Sequence, residues 1–290
     1  MIASEVTNDH IAELERDILA GRLGKASVSN ARHARSVGSG LFKWAAEAGR
    51  RYVKDTPYRN LPKLPKEHER TRYLKADEIK TLWHGLDRPD LPCSRSVALA
   101  LKLQLCTMLR SGEILPATPG EIVGLGTPEA AIHVPLKRVK KRRIIVQPLS
   151  ELAQEIIAEA IEIGKSKNSD FIFPGLIKGE PLESIGNAVR SNKAAGKIGL
   201  LDFLGMERWT PHDLRRTAAT LAGDLGCTDR DIARCLDHQK EGDQDAVASV
   251  TLGYNRSKRM PEKRQVLDAV AAGLRDIIGP PPVVRLKRAA

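Results

Sequence analysis

The stretch Trp209–Thr217, which reads WTPHDLRRT, predicts the start of an α-helix. Thr210 is a favourable N-cap residue, and Pro211 suits the first helical position because its missing N–H needs no partner there. Asp213 lies three positions after the cap, where a carboxylate can accept from the cap backbone in a capping box. Apolar residues then recur at helical spacing: Leu214, Ala218, Leu221 and Leu225.

Two side chains of this helix suggest a binding site. His212 and Arg215 are three positions apart, so they project from one face of the first turns. They lie beside the unpaired N–H groups and the positive end of the helix dipole. A donor, a permanent cation and a helix N-terminus together can bind phosphate oxygens. A capped surface helix whose His and Arg share no role explains this stretch equally well, because H-x-x-R is a short pattern.

The charge of the chain narrows the classes of partner. Its 290 residues include 47 Lys and Arg against 36 Asp and Glu, a formal net charge of +11. Such an excess favours a polyanion, and nucleic acid is the common one. Aromatic residues make up only 4% of the chain, which disfavours stacking of single-stranded bases. Contacts to the backbone of double-stranded DNA are therefore expected.

Several other classes are excluded by what the sequence lacks. The four cysteines form no C-x-x-C pair, which is typical of reduced thiols in a cytoplasmic protein. No apolar run is long enough to span a membrane, and the polar N-terminus is not a signal peptide. P-loop, G-x-G-x-x-G and H-E-x-x-H motifs are absent from the sequence.

Composition and chain-breaking residues divide the sequence into four parts. The first holds two predicted helices, over 5–21 and from Ser27 or Ser29 to about Arg50, which are too few for a core of their own. Prolines and basic residues then mark a linker. The predicted parts are 1–55, a partial helical domain; 56–74, a basic linker; 75–278, the main domain; and 279–290, a basic tail.

We predict that the main domain is mainly α (α+β), a helical domain with a small antiparallel β-sheet. A strongly apolar helix from Arg95 to Leu109 is followed by Arg110 and Glu113, charges that are costly beside a buried helix unless they are satisfied. A simple helix C-cap with Gly112 as the stop is the favoured alternative there. Short strands are predicted at Glu121–Leu125, Ala131–Leu136, Arg143–Leu149 and Phe171–Phe173.

A cluster of positive charge lies between the second and third strands. Residues 137–143 read KRVKKRR, so a hairpin tip carries almost only cations. Like charges at this density repel one another, and a counter-anion explains them better than a solubilising turn does.

More helices are predicted toward the C-terminus, and the last has two possible partners. They cover 150–164, Leu182–Lys193, the segment from Thr210, a segment capped by Thr228, and Glu262–Ile278. The apolar set of the last helix can dock on a neighbouring protomer or on its own domain, and the sequence supports both equally.

Taken in order, these motifs resemble the tyrosine recombinases, the phage-type integrase family, over roughly residues 28–265. The family's active site consists of Arg, Lys, His-x-x-Arg, His or Trp, and Tyr, and each has a counterpart here in that order. The anchors are LRSGE at 109–113, the basic hairpin with VQPLS at 146–150, HDLR at 212–215, LDH at 236–238 and GYNR at 253–256. Residues 1–55 then correspond to a shortened core-binding domain, and residues 75–278 to the catalytic domain.

The resemblance implies how the phosphate is attacked. Tyr254 is the expected nucleophile, and Arg110 and Arg215 are expected to bind the non-bridging oxygens of the scissile phosphate. Glu113 fits the acidic residue that braces the first arginine. The physical chemistry agrees, because a free tyrosine with a pKa near ~10 is hardly ionised at neutral pH, and two guanidinium groups can stabilise the developing charge.

The resemblance also implies how protons move. His212 and His238 are expected to donate hydrogen bonds and assist proton transfer. A hairpin lysine is the expected general acid for the leaving 5′-oxygen, and its spacing favours Lys140 over Lys137 or Lys141. The remaining hairpin cations are expected to contact DNA: Lys137, Lys141, Arg142 and Arg143.

The implied activity is site-specific recombination of double-stranded DNA through a 3′-phosphotyrosyl intermediate, in integration or excision of a mobile element. The covalent link conserves the bond energy, so no ATP is needed. The arginines neutralise the phosphate, so no metal or other cofactor is expected. The resemblance further implies a homo-tetramer on DNA, a monomer off DNA, and a place in the bacterial or phage-infected cytoplasm, associated with the nucleoid.

Two departures from the family leave alternatives open. Asp237 stands where the family often has glycine, and the segment from His238 to Tyr254 is longer than is common. With the short first domain, these features allow a truncated integrase that mainly binds DNA. A type IB topoisomerase-like enzyme is a second alternative. A metal phosphohydrolase that uses His212–Asp213 and Asp237–His238 as ligands is a third, and EDTA sensitivity separates it from the others.

Overall fold

The computed structural model describes residues 2–67, 70–139, 144–237 and 259–280, and the chain divides into two compact units. The units are Met1–Thr71 and Arg72–Ala290. The predicted fold class is confirmed, because the second unit is a helical domain that carries a three-stranded antiparallel sheet. No helix in the described part of the chain is both long and apolar enough to cross a bilayer.

The first unit contains a pair of helices, α1 (Asn8–Ala20) and α2 (Val28–Ala46). Gly21 ends α1 in the left-handed conformation at φ 77°, and the Ser27 hydroxyl accepts from the Asn30 backbone N–H in the first turn of α2. The helix α2 ends four residues before the predicted Arg50. Between the helices, Arg35 Nε donates to Glu15 Oε1 at 2.6 Å, so an ion pair supplements a small apolar contact.

The core of the second unit is built around α4 (Arg95–Thr107), whose residues from Ser96 to Thr107 are all buried. This helix packs against α6 (Glu151–Ser166) and α9 (Pro211–Asp224). Its run of apolar residues on every side explains why it lies in the centre rather than on the surface. The other helices of this unit are α3 (Ala76–Gly85), α5 (Ser111–Ile114), α6 (Glu151–Ser166), α7 (Gly186–Val189), α8 (Leu200–Leu204), α9 (Pro211–Asp224), α10 (Asp229–Cys235) and α11 (Met260–Ile278).

The sheet is a meander with strand order β1-β2-β3. Its strands are β1 (Ile122–Val123), β2 (Ala131–Val134) and β3 (Ile145–Pro148), each shorter than predicted. Ile132 pairs with Gln147, and Val134 pairs with Ile145. Gly124 at φ 67° and Gly126 at φ 86° take left-handed conformations in the turn from β1 to β2, which explains the glycines at these positions.

Two predictions between α6 and α9 were wrong. Phe171–Phe173 does not form a strand, because its backbone bonds go to separate segments: Ile172 N–H donates to Ala117, and the Phe173 carbonyl accepts from Leu182. The helix predicted over Leu182–Lys193 is reduced to the single turn of α7. The buried apolar residues that suggested regular structure instead fill the core beside α4.

The last helix, α11, packs within its own unit. It contacts α3, α9, α10 and β3, and the buried members of its apolar set are Val266, Leu267, Val270, Leu274 and Ile278. The sequence allowed this helix to dock on a neighbouring protomer or on its own domain. In the structure it docks on its own domain.

Candidate active site

Arg110 stands at a tight junction between two helices. The chain leaves α4 through Met108, which is fully buried in the left-handed conformation at φ 57°, and Arg110 is the N-cap residue of α5. A non-glycine residue in this conformation is costly and persists only where its surroundings fix it. The alternative of a simple C-cap at Gly112 was wrong, because Gly112 lies inside α5.

Glu113 hydrogen-bonds Arg110 through both of its carboxylate oxygens. Its Oε2 accepts from the Arg110 backbone N–H at 2.8 Å, and its Oε1 accepts from Arg110 Nη1 at 2.7 Å. Glu113 is 2% exposed, whereas about a third of the Arg110 side chain remains exposed. A buried carboxylate thus fixes one side of the guanidinium and leaves another side accessible to an anion.

The start of α9 has the predicted capping box. Asp213 is 1% exposed, and its Oδ2 accepts from the Thr210 N–H at 2.9 Å and from the Thr210 hydroxyl at 2.8 Å. Its Oδ1 accepts from Arg216 at 3.0 Å. One oxygen of Asp213 serves the cap and the other pairs with Arg216, which opposes the use of His212–Asp213 as a metal-binding pair. Among the described residues, no group of three or more potential ligands could hold a metal.

Arg215 is buried beneath the junction that presents Arg110. It is 2% exposed, and its Nη1 donates to the carbonyl of Met108 while its Nη2 donates to the carbonyl of Leu236. Burial, followed by repulsion from Arg110, lowers the pKa of Arg215 to about 10. A guanidinium with this pKa is still charged at neutral pH. The two arginines, far apart in sequence, therefore form one cationic centre.

His212 is the exposed residue of this centre, on the first turn of α9. Desolvation, and then the positive charges of Arg215 and Arg216, hold the pKa of His212 below its usual value of 6.5. The ring is consequently neutral at pH 7 and can both donate and accept a hydrogen bond.

Other predicted site residues lie outside the described part of the chain: Lys140, Lys141, Arg142, Arg143, His238 and Tyr254. Lys137 is described, and it is exposed in a 3-10 turn at the end of β2. Asp237, directly before His238, has φ 52°. This left-handed conformation favours glycine, which accounts physically for glycine at this position in the family.

A model of the phage integrase family matches residues 72–243 of the sequence. The chain belongs to the phage integrase family. It is thus a tyrosine recombinase, a site-specific enzyme that breaks and rejoins DNA. Nothing favours the truncated integrase that mainly binds DNA or the topoisomerase-like alternative. No curated protein sequence matches it significantly.

Solved structures of integrases and recombinases share the fold of this phage integrase family member, at identities too low to carry more than the fold. The lambda integrase tetramer bound to a Holliday junction has a TM-score of 0.58 at 19% identity, covering 85% of this chain and 68% of that one. XerH recombinase bound to a palindromic difH substrate gives 0.58 at 16% identity, with coverages of 88% and 73%. The Tn1549 transposon integrase in complex with circular intermediate DNA gives 0.57 at 15% identity, with coverages of 91% and 86%.

One residue with no predicted role makes close contacts behind this site. Gln147 lies within the VQPLS motif on β3 and is fully buried. In the sequence, Gln147 is a long polar residue among the apolar residues of a predicted strand. In the structure, every position of that strand is buried, so its amide needs partners inside the protein. Its partners lie far away along the chain, so the sequence did not indicate its function.

Proposed function

We propose that this recombinase cleaves one DNA strand by attack of Tyr254 on the scissile phosphate and forms a 3′-phosphotyrosyl intermediate. The observation that carries the proposal is that Arg215 donates to the carbonyl of Met108, two residues before Arg110. This bond connects Arg215 to the turn that leads into Arg110. Together they provide the charge that a pentacoordinate phosphorane needs.

The two arginines are held by different partners and therefore present different groups to the phosphate. Within the described residues, Arg215 gives two of its five N–H groups to backbone carbonyls, and the other three can bind phosphate oxygens. Arg110 has one edge fixed by Glu113 and offers another edge to the same phosphate. A planar guanidinium binds two oxygens at once, which a lysine ammonium cannot do.

Proton transfer falls to the remaining residues of the predicted site. Lys140 protonates the leaving 5′-oxygen, with Lys137 and Lys141 as the other candidates in the hairpin. The neutral ring of His212 and the ring of His238 donate hydrogen bonds to the phosphate and accept the phenolic proton. The covalent link keeps the bond energy, so the 5′-hydroxyl of a strand can reverse the reaction without ATP.

DNA binding extends beyond the scissile phosphate. The net charge of +11 and the hairpin cations Lys137, Lys141, Arg142 and Arg143 favour contacts to the duplex backbone. We assign DNA binding also to residues 1–55, joined through the basic segment 56–74 to the catalytic domain 75–278 and its tail 279–290. We further propose a monomer that assembles as a homo-tetramer on DNA, in the cytoplasm and associated with the nucleoid, in line with the lambda integrase tetramer of similar fold.

The proposal is tested with a tiled pool of nicked duplexes from the DNA that flanks the coding sequence. A nick beside the cleavage point releases a short oligonucleotide and traps the covalent intermediate. We expect a protein–DNA adduct that survives detergent and forms equally well in EDTA. An adduct that requires a divalent cation would contradict cleavage by arginine and tyrosine alone, and binding without any adduct would favour the truncated DNA-binding alternative.

A further inference from the structure

Gln147 uses its side-chain amide to connect the ends of two helices. Its Nε2 donates to the carbonyl of Thr107 at 2.7 Å and to the carbonyl of Cys235 at 3.1 Å. Thr107 is the last residue of α4, and Cys235 is the last residue of α10. Carbonyls at helix C-termini have no partner within the helix, so an external donor is needed when they are buried.

The same two chain turns are bridged a second time by Arg215. Its carbonyl partners, Met108 and Leu236, are the residues that directly follow the two partners of Gln147. Two side chains from different elements, β3 and α9, therefore connect the end of α4 to the end of α10. The first of these turns leads to Arg110, and the second leads to Asp237 and His238.

A third connection joins α11 to this arrangement. Lys263, in the first turn of α11, donates from Nζ to the carbonyl of Val146 at 2.9 Å and lies 3.4 Å from Gln147 Oε1. The Cys235 thiol is 3.7 Å from the carbonyl of Lys263. The amide of Gln147 thus contacts the end of α4, the end of α10 and the first turn of α11.

Electrostatics explain why a neutral amide suits this position. Arg110 already repels Arg215 and contributes to the lowering of its pKa. An arginine or lysine in place of Gln147 could also donate to the carbonyls, but it would add a buried positive charge close to Arg215 and Lys263. An amide donates two hydrogen bonds without adding charge.

We propose that Gln147 is a positioning residue for the cleavage step. It holds the ends of α4 and α10, whose next carbonyls are the partners of Arg215, at the separation that Arg110 and Arg215 need to bind one phosphate. The inference rests on the proposed function, because it assigns both arginines to the scissile phosphate. Displacement of a reacting group by about 1 Å can slow a reaction by about 100-fold, so a bond that fixes these turns has a large effect on rate.

Gln147→Met tests the proposal, and Gln154→Met is its matched control. Methionine has a similar length and no N–H donor, so the carbonyls of Thr107 and Cys235 lose their partner. Gln154 likewise bridges two backbone carbonyls, those of Thr127 at 3.2 Å and Leu149 at 3.3 Å, but contacts none of the turns of the site. A general effect of losing a bridging glutamine would appear in both variants.

Two substrates distinguish positioning from a loss of folded protein. One has a natural phosphate at the cleavage point, and the other has an uncharged methylphosphonate, which needs less help from two cations. We expect Gln147→Met to slow single-turnover cleavage of the natural phosphate by about 30-fold to 100-fold, and that of the methylphosphonate by less than about 5-fold. Affinity for DNA should stay within about threefold, and Gln154→Met should cleave both substrates at the wild-type rate.

Equal losses on the two substrates, or equal losses in the two variants, would overturn the positioning role. If Gln147→Met does not fold, Gln147→Asn carries the same test, because it keeps the amide and shortens its reach by one methylene. The proposed function is judged separately: it fails if the wild-type protein forms no adduct or if Tyr254→Phe forms one. A wild-type rate for Gln147→Met, with both of those controls as expected, refutes only the role of Gln147.

Discussion

Arg215 Nη1 donates to the carbonyl of Met108, a residue 107 positions earlier in the chain. Met108 is fully buried with a positive φ, so its carbonyl is presented by a backbone conformation that most residues avoid. The bond therefore joins the strained exit of α4 to the first turns of α9. It makes one arginine of the site a structural support for the turn that presents the other.

Replacement of Arg215 by lysine should remove most cleavage activity. A lysine ammonium keeps the charge but cannot bridge the carbonyls of Met108 and Leu236 while it binds two phosphate oxygens. We expect Arg215→Lys and Arg110→Ala each to lose about 3–4 kcal/mol of transition-state stabilisation, measured by single-turnover cleavage at saturating DNA. Arg230→Lys, an exposed change on α10, serves as the control. Near-complete activity in Arg215→Lys would argue against the phosphate clamp.

The lowered pKa of His212 predicts a specific pH dependence of stability. A histidine with a lowered pKa takes up its proton less readily in the folded chain than in the unfolded chain. Its contribution to stability is therefore complete above the usual pKa of 6.5 and is lost as the pH falls through the lowered value. Between pH of about 7.5 and about 5.5, the free energy of unfolding should fall more for wild type than for His212→Asn. The free energies of unfolding are measured by urea denaturation. If they change equally with pH in wild type and in His212→Asn, the pKa of His212 is not lowered by folding.

Asp237 should tolerate glycine better than alanine. At φ 52° a Cβ atom costs energy, and aspartate tolerates this region better than alanine does. We expect Asp237→Gly to be more stable than Asp237→Ala by about 1 kcal/mol, because both variants lose the carboxylate and only alanine places a Cβ at positive φ. Asp237→Asn separates the loss of charge from the conformational effect, because it keeps a side chain that tolerates positive φ and removes the attraction between Asp237 and Arg215. Equal thermal midpoints for the Gly and Ala variants would contradict the assigned conformation.

The packing of α11 predicts that its core residues stabilise the isolated chain. Leu274 is fully buried, so Leu274→Ala should cost about 2–5 kcal/mol of the free energy of unfolding. The loss should be the same at low and high protein concentration and in the absence of DNA, because the contacts lie within one unit. A loss that is seen only in assembled complexes would indicate that the helix docks on a neighbouring protomer.

Local signals in the sequence predicted the parts of the fold that depend on neighbouring residues. The capping box of Thr210 and Asp213, the cap at Thr228 and the apolar run of α4 each require only a few adjacent positions, and each was found where predicted. The bond from Glu113 to Arg110 spans three residues and could also be anticipated. The order of motifs then indicated the family.

Features that depend on distant partners could not be predicted in this way. Phe171–Phe173 has the composition of a strand, but its backbone bonds to Ala117 and Leu182 do not form a ladder. Gln147 binds residues 40 positions before it and 88 positions after it. The HDLR motif likewise does not indicate that Arg215 donates to the carbonyls of Met108 and Leu236.

The most direct test of the central claim is to measure whether Tyr254→Phe forms a covalent adduct with a nicked duplex that traps the wild-type protein. Loss of the phenolic oxygen removes the nucleophile and leaves the arginines and the DNA-binding surface in place. We predict that wild type forms a detergent-resistant adduct, that peptide mapping places the phosphate on Tyr254, and that Tyr254→Phe binds the duplex with unchanged affinity and forms none. An adduct of the same yield in Tyr254→Phe, or one mapped to another residue, would contradict the account.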